Sequence, residues 1–235
     1  RAWMAARRGE WGALDVAAAD PGPNGFAGHL GWHEALFALE TLALPEALAL
    51  FDTYLDERRI EITLQRVDAA SLLWRIALVE GDVGGRWRAL VDGWRLDATT
   101  AGHSLFNDAH ATMALVGAGE LAQAREWAAL SLAAADRNGG WNGSVARALG
   151  APLLHGLVAF GAGDFDRASE QIASIRDALV AFGGSRAQRD VVDQTLLAAA
   201  ARGCDKSVGR ALLAERRRAK PTTPLTAHWR ERLGA

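Results

Sequence analysis

Two short strings in this chain have one form: GAGELAQA, from Gly117 to Ala124, and GAGDFDRA, from Gly161 to Ala168. Each closes a helical stretch on glycine, turns through an acidic residue, and sets a small alanine early in the next helix. Glycine takes the left-handed conformation that ends a helix, and the alanine lets two antiparallel helices approach closely. The second string lies about forty residues beyond the first, a spacing that marks a repeat of paired helices. ARGCDKSVGRA (Ala201 to Ala211) follows at a similar interval, and LETLALPEALALF (Leu39 to Phe51) reads as a degenerate copy.

Strand signals are nearly absent, and apolar residues recur at steps of three and four. The periodicity predicts helices near Ala2–Arg8, Trp11–Ala19, Phe26–Glu40, Pro45–Asp56, Ala69–Glu80, Arg86–Leu96 and Ser104–Val116. It continues with Leu121–Ala135, Val145–Phe160, Phe165–Val180, Arg186–Arg202, Ser207–Arg218 and Leu225–Leu233. The expected fold is all-α: a tetratricopeptide-like α-solenoid of antiparallel helical hairpins, each burying its apolar face on its neighbours. Residues 1–235 read as one helical-repeat domain. The chain opens on Arg1 inside helical sequence, and the expectation is that it is the C-terminal part of a longer chain.

Composition narrows the function classes. Apolar residues make up 50% and charged residues 23%, which is ordinary for a folded, soluble chain. The net charge of -2 provides no basic face, so no nucleic-acid partner is expected. The densest basic run, Arg216, Arg217 and Arg218 with Lys220, falls at a helix end, where it complements the helix dipole. No apolar run approaches the ~20 residues that span a bilayer, and no membrane partner is expected. The single cysteine, Cys204, excludes an internal disulfide framework and fits a reducing, cytoplasmic setting. Nearly all the basic residues are arginine and alanine is abundant, as in a high-GC bacterial genome.

Several polar residues do not fit a bare scaffold. In GHLGWHEALFALE (Gly28 to Glu40), His29, His33 and Glu40 share a helical face. Two histidines four apart can hold a metal, but WHEAL lacks the second histidine of a zincin motif, and neither a metal nor a cofactor is expected. In RVDAASLLWR, Asp68 reads as an N-cap for the helix that follows. Ser71 and Arg75 lie on its side, and Arg75 is either an anion fork or tied to a neighbouring helix's carboxylate. In HSLFNDAHATMAL, Asn107, Asp108 and His110 interrupt an apolar pattern. Asp108 and His110 are two apart and diverge on one helix, so any Asp–His pairing must form across helices. In GGSRAQRD, Ser185 with Gln188 is a capping box. Arg189 then falls on the apolar stripe, and it and Asp190 want partners.

These motifs, in this order, resemble the tetratricopeptide repeat protein 38 family from about Gly31 to the C-terminus. The resemblance rests on Trp32-His33 with Ala35, Leu36 and Glu40, on Asp68, Ser71, Leu73 and Arg75, and on Gly85-Arg86-Trp87. It continues through FNDAH (Phe106 to His110), GGSRAQRDV (Gly183 to Val191) and LLAERRRAKPTTPLT (Leu212 to Thr226). FNDAH and GGSxAQRD are the specific strings. A departure is Arg186, where the family pattern has a neutral polar residue or histidine. The resemblance implies a tetratricopeptide-like helical fold with further hairpins upstream, and a shared polar feature. It implies no particular activity.

Three functions are open at this stage. A concave polar pocket could bind a small polar molecule or a peptide or protein segment, with Trp32, Trp74 and Trp87 as apolar walls and Arg75 and Arg189 as anion forks. An enzyme could use His33 or His110 as a base, oriented by Asp68, Asp108 or Asp190. A structural scaffold would need the same groups only as a buried polar network. The candidate pocket is Trp32, His33, Glu40, Asp68, Arg75, Asn107, Asp108, His110, Gln188, Arg189 and Asp190.

Overall fold

The computed structural model describes residues 25–56, 60, 62–137, 139–219 and 222–235. The helices expected near Ala2–Arg8 and Trp11–Ala19 lie outside the described residues. The rest fold into eleven α-helices with no strand among the described residues. They are α1 (Gly25–Glu40), α2 (Leu44–Tyr54), α3 (Thr63–Leu78), α4 (Arg86–Gly93), α5 (Leu105–Gly117) and α6 (Leu121–Arg137). Then come α7 (Gly140–Gly161), α8 (Phe165–Ile175), a 3-10 segment (Arg176–Phe182), α9 (Arg186–Arg202), α10 (Ser207–Ala219) and α11 (Pro224–Leu233).

Repeating turns set this order. At Leu42, Glu80, Gly119 and Gly163 the backbone enters the left-handed region, with φ of 54, 64, 79 and 79°. Each time the next residue's N–H reaches back five residues: Ala43 to the Ala38 carbonyl, Gly81 to Ile76, Glu120 to Leu115 and Asp164 to Ala159, at 2.9–3.0 Å. Such bonds satisfy carbonyls that a helix end leaves without partners. The degenerate copy at Leu39–Phe51 therefore makes the same turn as the two glycine links, with leucine in the glycine's place. The alanine five residues on is fully buried in three copies: Ala47, Ala124 and Ala168. The third link differs, because Gly203 is extended and does not turn left-handed. The close approach is visible at Gly161, where an added Cβ would lie 2.4 Å from Val116.

α1, α3, α5 and α7 pack in a row, each against the next, and α2, α4, α6 and α8 each pack on their hairpin partners. An open array would stop there, since each repeat touches only its neighbours. Here α9 packs on α8 and α10 and also returns to α3, while α11 packs on α1. The Trp74 indole N–H donates to Thr195 Oγ1 at 2.8 Å across that closure. Arg202 caps α3 by donating to the Leu78 carbonyl at 3.0 Å and lies over the Phe160 and Phe165 rings. α9 is consequently buried on almost every side, with Leu196 through Ala200 at 1% exposure or less.

Some expectations change. α3 begins at Thr63, six residues before the predicted start, so Asp68 is no N-cap. The Gln65 side chain caps the start of that helix, accepting the Ile62 N–H at 3.1 Å. α8 stops at Ile175, and what was expected to be its last part is the 3-10 segment. α7 is long and apolar enough to cross a membrane by length and composition, although no such run was expected. It is packed against α5, α6 and α8 and mostly buried within the protein.

Candidate functional site

The closure of α9 and α11 onto α3 and α1 leaves a cavity of about 1800 Å³. α1 presents His33, Leu36, Phe37 and Glu40 to it, α3 presents Arg75, with Val79 just past its end, and the 3-10 segment presents Arg176, Asp177, Leu179 and Val180. α9 contributes Arg186, Arg189, Asp190, Asp193, Gln194 and Leu197, and α10 contributes Leu212, Glu215, Arg216 and Ala219. Thr223 and Leu225, at the start of α11, complete the wall. On each of α1, α9 and α10 these positions recur at three and four residues, the spacing of one helical face. Val180, 73% exposed, lies on the wall, so the cavity opens to solvent beside the 3-10 segment.

At the inner end a polar network ties four helices. Arg216 donates to Glu40 Oε1 at 2.5 Å and to Asp190 Oδ1 at 3.2 Å. The Thr223 hydroxyl donates to Glu40 Oε2 at 2.9 Å. Gln194 donates to Asp190 Oδ2 at 3.2 Å and accepts the Trp229 indole N–H at 2.8 Å. A second triad lies towards solvent, where Arg176 donates to Asp193 at 3.0 Å and to Glu215 at 2.7 Å. Burial pushes the Asp193 carboxyl above its ordinary range, and the neighbouring carboxylates Asp190 and Glu215 push in the same direction.

Arg75 is buried and meets no carboxylate directly. Its guanidinium donates to the Ala187 carbonyl at 2.8 Å and to the Ser71 carbonyl at 3.1 Å, with further bonds to Ser71 Oγ and the Gln188 carbonyl. It also lies over the Trp32 ring, 5.7 Å from the centroid. Burial lowers its pKa to about 10, which leaves it charged at neutral pH. Arg189 donates to the carbonyls of Gly183 and Gly184 at 3.5 and 2.5 Å. Those two glycines have φ of 94 and 71°, and the capping box follows: Gln188 N–H to Ser185 Oγ at 3.2 Å, Ser185 N–H to Gln188 Oε1 at 2.9 Å.

Of the eleven residues picked out in the sequence, the fold brings His33, Glu40, Arg75, Arg189 and Asp190 to the cavity. Asp68 and Gln188 sit just behind it. Asp68 accepts from His29 Nδ1 at 2.8 Å and from Gln188 Nε2 at 3.5 Å. His29 stacks on Trp32 and meets His33 edge-on, with centroids 4.8 Å apart. Burial and the nearby His29 hold the His33 imidazole below its usual range. The cross-helix Asp–His pair therefore exists, but its histidine is His29. Trp32, Trp74 and Trp87 are core residues and line no part of the cavity.

Asn107, Asp108 and His110 on α5 also lie apart from it. His110 Nδ1 faces the Phe106 carbonyl at 2.7 Å, and its ring lies among those of Phe106 and Phe182. Burial lowers its pKa to about 4. Asp108 accepts the Gly102 N–H at 3.2 Å, and burial raises its carboxyl to about 6.

The sequence reading missed Arg176, Asp193, Glu215 and Arg216. Arg216 had been assigned to the helix dipole with its exposed neighbours, yet it is 8% exposed and anchors the network. The signal was present, since Arg216 follows Leu212 by four and Leu213 by three, on the apolar stripe of α10. Among the described residues no group of three His, Cys, Asp or Glu is placed to hold a metal. Cys204 is exposed, and the adjacent Asp166 carboxylate holds its thiol above the usual range, which disfavours the nucleophilic thiolate. No family model matches this chain, and no solved structure matches it.

Proposed function

We propose that this chain is a binding module whose cavity receives a peptide segment or small polar molecule, in a tetratricopeptide-like array that has curled shut. The reading is supported by one observation above the others: five of the polar residues singled out in the sequence, from three distant parts of it, line a single solvent-opening cavity of about 1800 Å³. That space exceeds the 300–1000 Å³ typical of small-molecule pockets, which favours a polymer segment. Its walls mix leucine and valine with paired charges, so an occupant can bury apolar surface and still satisfy polar groups. We assign the chain to the tetratricopeptide repeat protein 38 family on the FNDAH and GGSRAQRD strings, and to the cytoplasm on its single, exposed cysteine.

The test is to narrow the cavity without touching the core. Ala219 is exposed on the cavity wall, so Ala219→Trp places an indole at the opening. A pooled set of fluorescent peptides of about twelve residues, long enough for three helical turns, is scored by polarisation against both forms. Binding to the wild type that Ala219→Trp abolishes, with unchanged melting temperature, is the expected result. Equal binding to both, or none to either, overturns the proposal.

A scaffold role is the second reading, and the Glu40–Arg216–Asp190 network favours it. A largely buried ionic cluster that ties distant helices can fix which of them meet, whether or not anything binds nearby.

A further inference from the structure

The charges around the cavity are sorted along α9. Near its first turn stand Arg186 and Arg189. Arg186 makes no hydrogen bond or ion pair among the described residues, and Arg189 bonds only to backbone carbonyls. Both add to the positive end of the helix dipole. One to two turns further along is the Arg176 triad, in which one guanidinium serves two carboxylates, Asp193 and Glu215. That triad carries a net negative charge, and each carboxylate uses a single oxygen on Arg176. The Glu40–Arg216–Asp190 cluster lies at the inner end, where Arg216 already serves both carboxylates.

The separation is set by helix geometry. Four to seven residues at 1.5 Å each put the two poles about 6–10 Å apart along α9. The cavity-lining face of α9 runs from Arg186 to Leu197, a length of about 16 Å on the same rise. A helix 10–12 Å across and that long fills roughly 1300–1900 Å³, close to the volume observed. Because α1, α9 and α10 each present one helical face, the space has the form of a missing neighbour helix, with Leu36 and Leu212 as apolar contacts.

We infer that the occupant is an amphipathic helical segment of about three turns from a partner protein, with an acidic residue set against Arg186 and Arg189 and a basic residue one to two turns away against Asp193 and Glu215. This rests on the binding reading above and adds the ligand's charge pattern. Neither carboxylate pole nor arginine pole is buried deeply enough to bind a lone ion strongly, because exposed pairs are weak. The poles act together, as selectors of which helix enters.

The experiment uses four stapled, fluorescein-labelled helical peptides of about twelve residues with one apolar stripe, differing at two positions on the adjoining face: Glu and Lys, Gln and Gln, Lys and Lys, Glu and Glu. On the wild-type chain the Glu/Lys peptide is expected to bind at least about tenfold tighter than Gln/Gln, a gap of about 1.4 kcal/mol, and the gap is expected to shrink with added salt. Arg186→Glu, at an exposed side chain without partners, is expected to shift the preference to Lys/Lys, and Glu215→Gln to weaken the two peptides with Lys at the second position, Glu/Lys and Lys/Lys, relative to Gln/Gln. Circular dichroism checks that both variants are folded. If all four peptides bind the wild type equally well, the charge pattern is wrong while the binding reading stands. If none binds, both fail.

Discussion

Two parts of this molecule began as the same kind of signal: polar residues inside an apolar helical pattern. On α5, Asp108 and His110 take their partners from the same helix, the turn just before it or the next helix, α6, and are sealed among side chains. Around the cavity, Glu40, Asp190 and Arg216 find partners on other elements, up to 183 positions away in the chain. The first group is a local solution to burial and the second is what holds the closure together. Buried polar groups near in sequence to their partners mark a tolerated interior, whereas those with distant partners mark a place where the chain had to return.

That contrast is open to experiment, and the largest effect belongs to the closure. Arg216→Met leaves Glu40 and Asp190 without their shared cation, and breaking such a buried pair costs about 3–5 kcal/mol. Urea denaturation should show this loss, and adding Glu40→Gln and Asp190→Asn should recover part of it. A triple variant no better than the single one would mean that the network does not hold α1 to α10.

The sealed group should respond to pH. The His110 pKa is lowered from 6.5 to about 4. The stability that this brings is present above pH 6.5 and is lost as pH falls towards 4, about 3 kcal/mol at most. His110→Leu should flatten that part of the curve, and an unchanged slope would contradict a buried neutral imidazole. The Asp108 carboxyl is raised to about 6, so its contribution has the opposite sign, present below pH 3.8 and lost as pH rises through 6. Asp108→Asn should therefore gain on the wild type as pH rises from 4 to 7, by about 2 kcal/mol. The smallest effect is expected for Arg189→Ala. It removes hydrogen bonds to the Gly183 and Gly184 carbonyls from a half-exposed side chain and should cost about 1 kcal/mol.

Much of the fold was legible because its determinants are local. α9 begins and ends where the periodicity placed it, and the Ser185–Gln188 box forms as its spacing implied. The two glycine links adopt the same turn. Even so, Glu80 was not recognised as making that turn, because a left-handed Glu leaves no mark in the sequence. The closure onto α3 was not legible either, since it depends on packing between Trp74 and Thr195, which no window of neighbouring residues contains. The candidate site suffered for the same reason. Polar residues on an apolar stripe identified five of the residues that line the cavity. They could not separate Asp108 from Asp190, whose difference lies wholly in what faces them.

The contact between α9 and α3 also bears on synthesis. As the polypeptide leaves the ribosome, the Trp74 face emerges long before Thr195 exists. Until α9 has been made, the early hairpins hold an uncovered apolar flank, and shielding by a chaperone during that wait would favour correct assembly over aggregation.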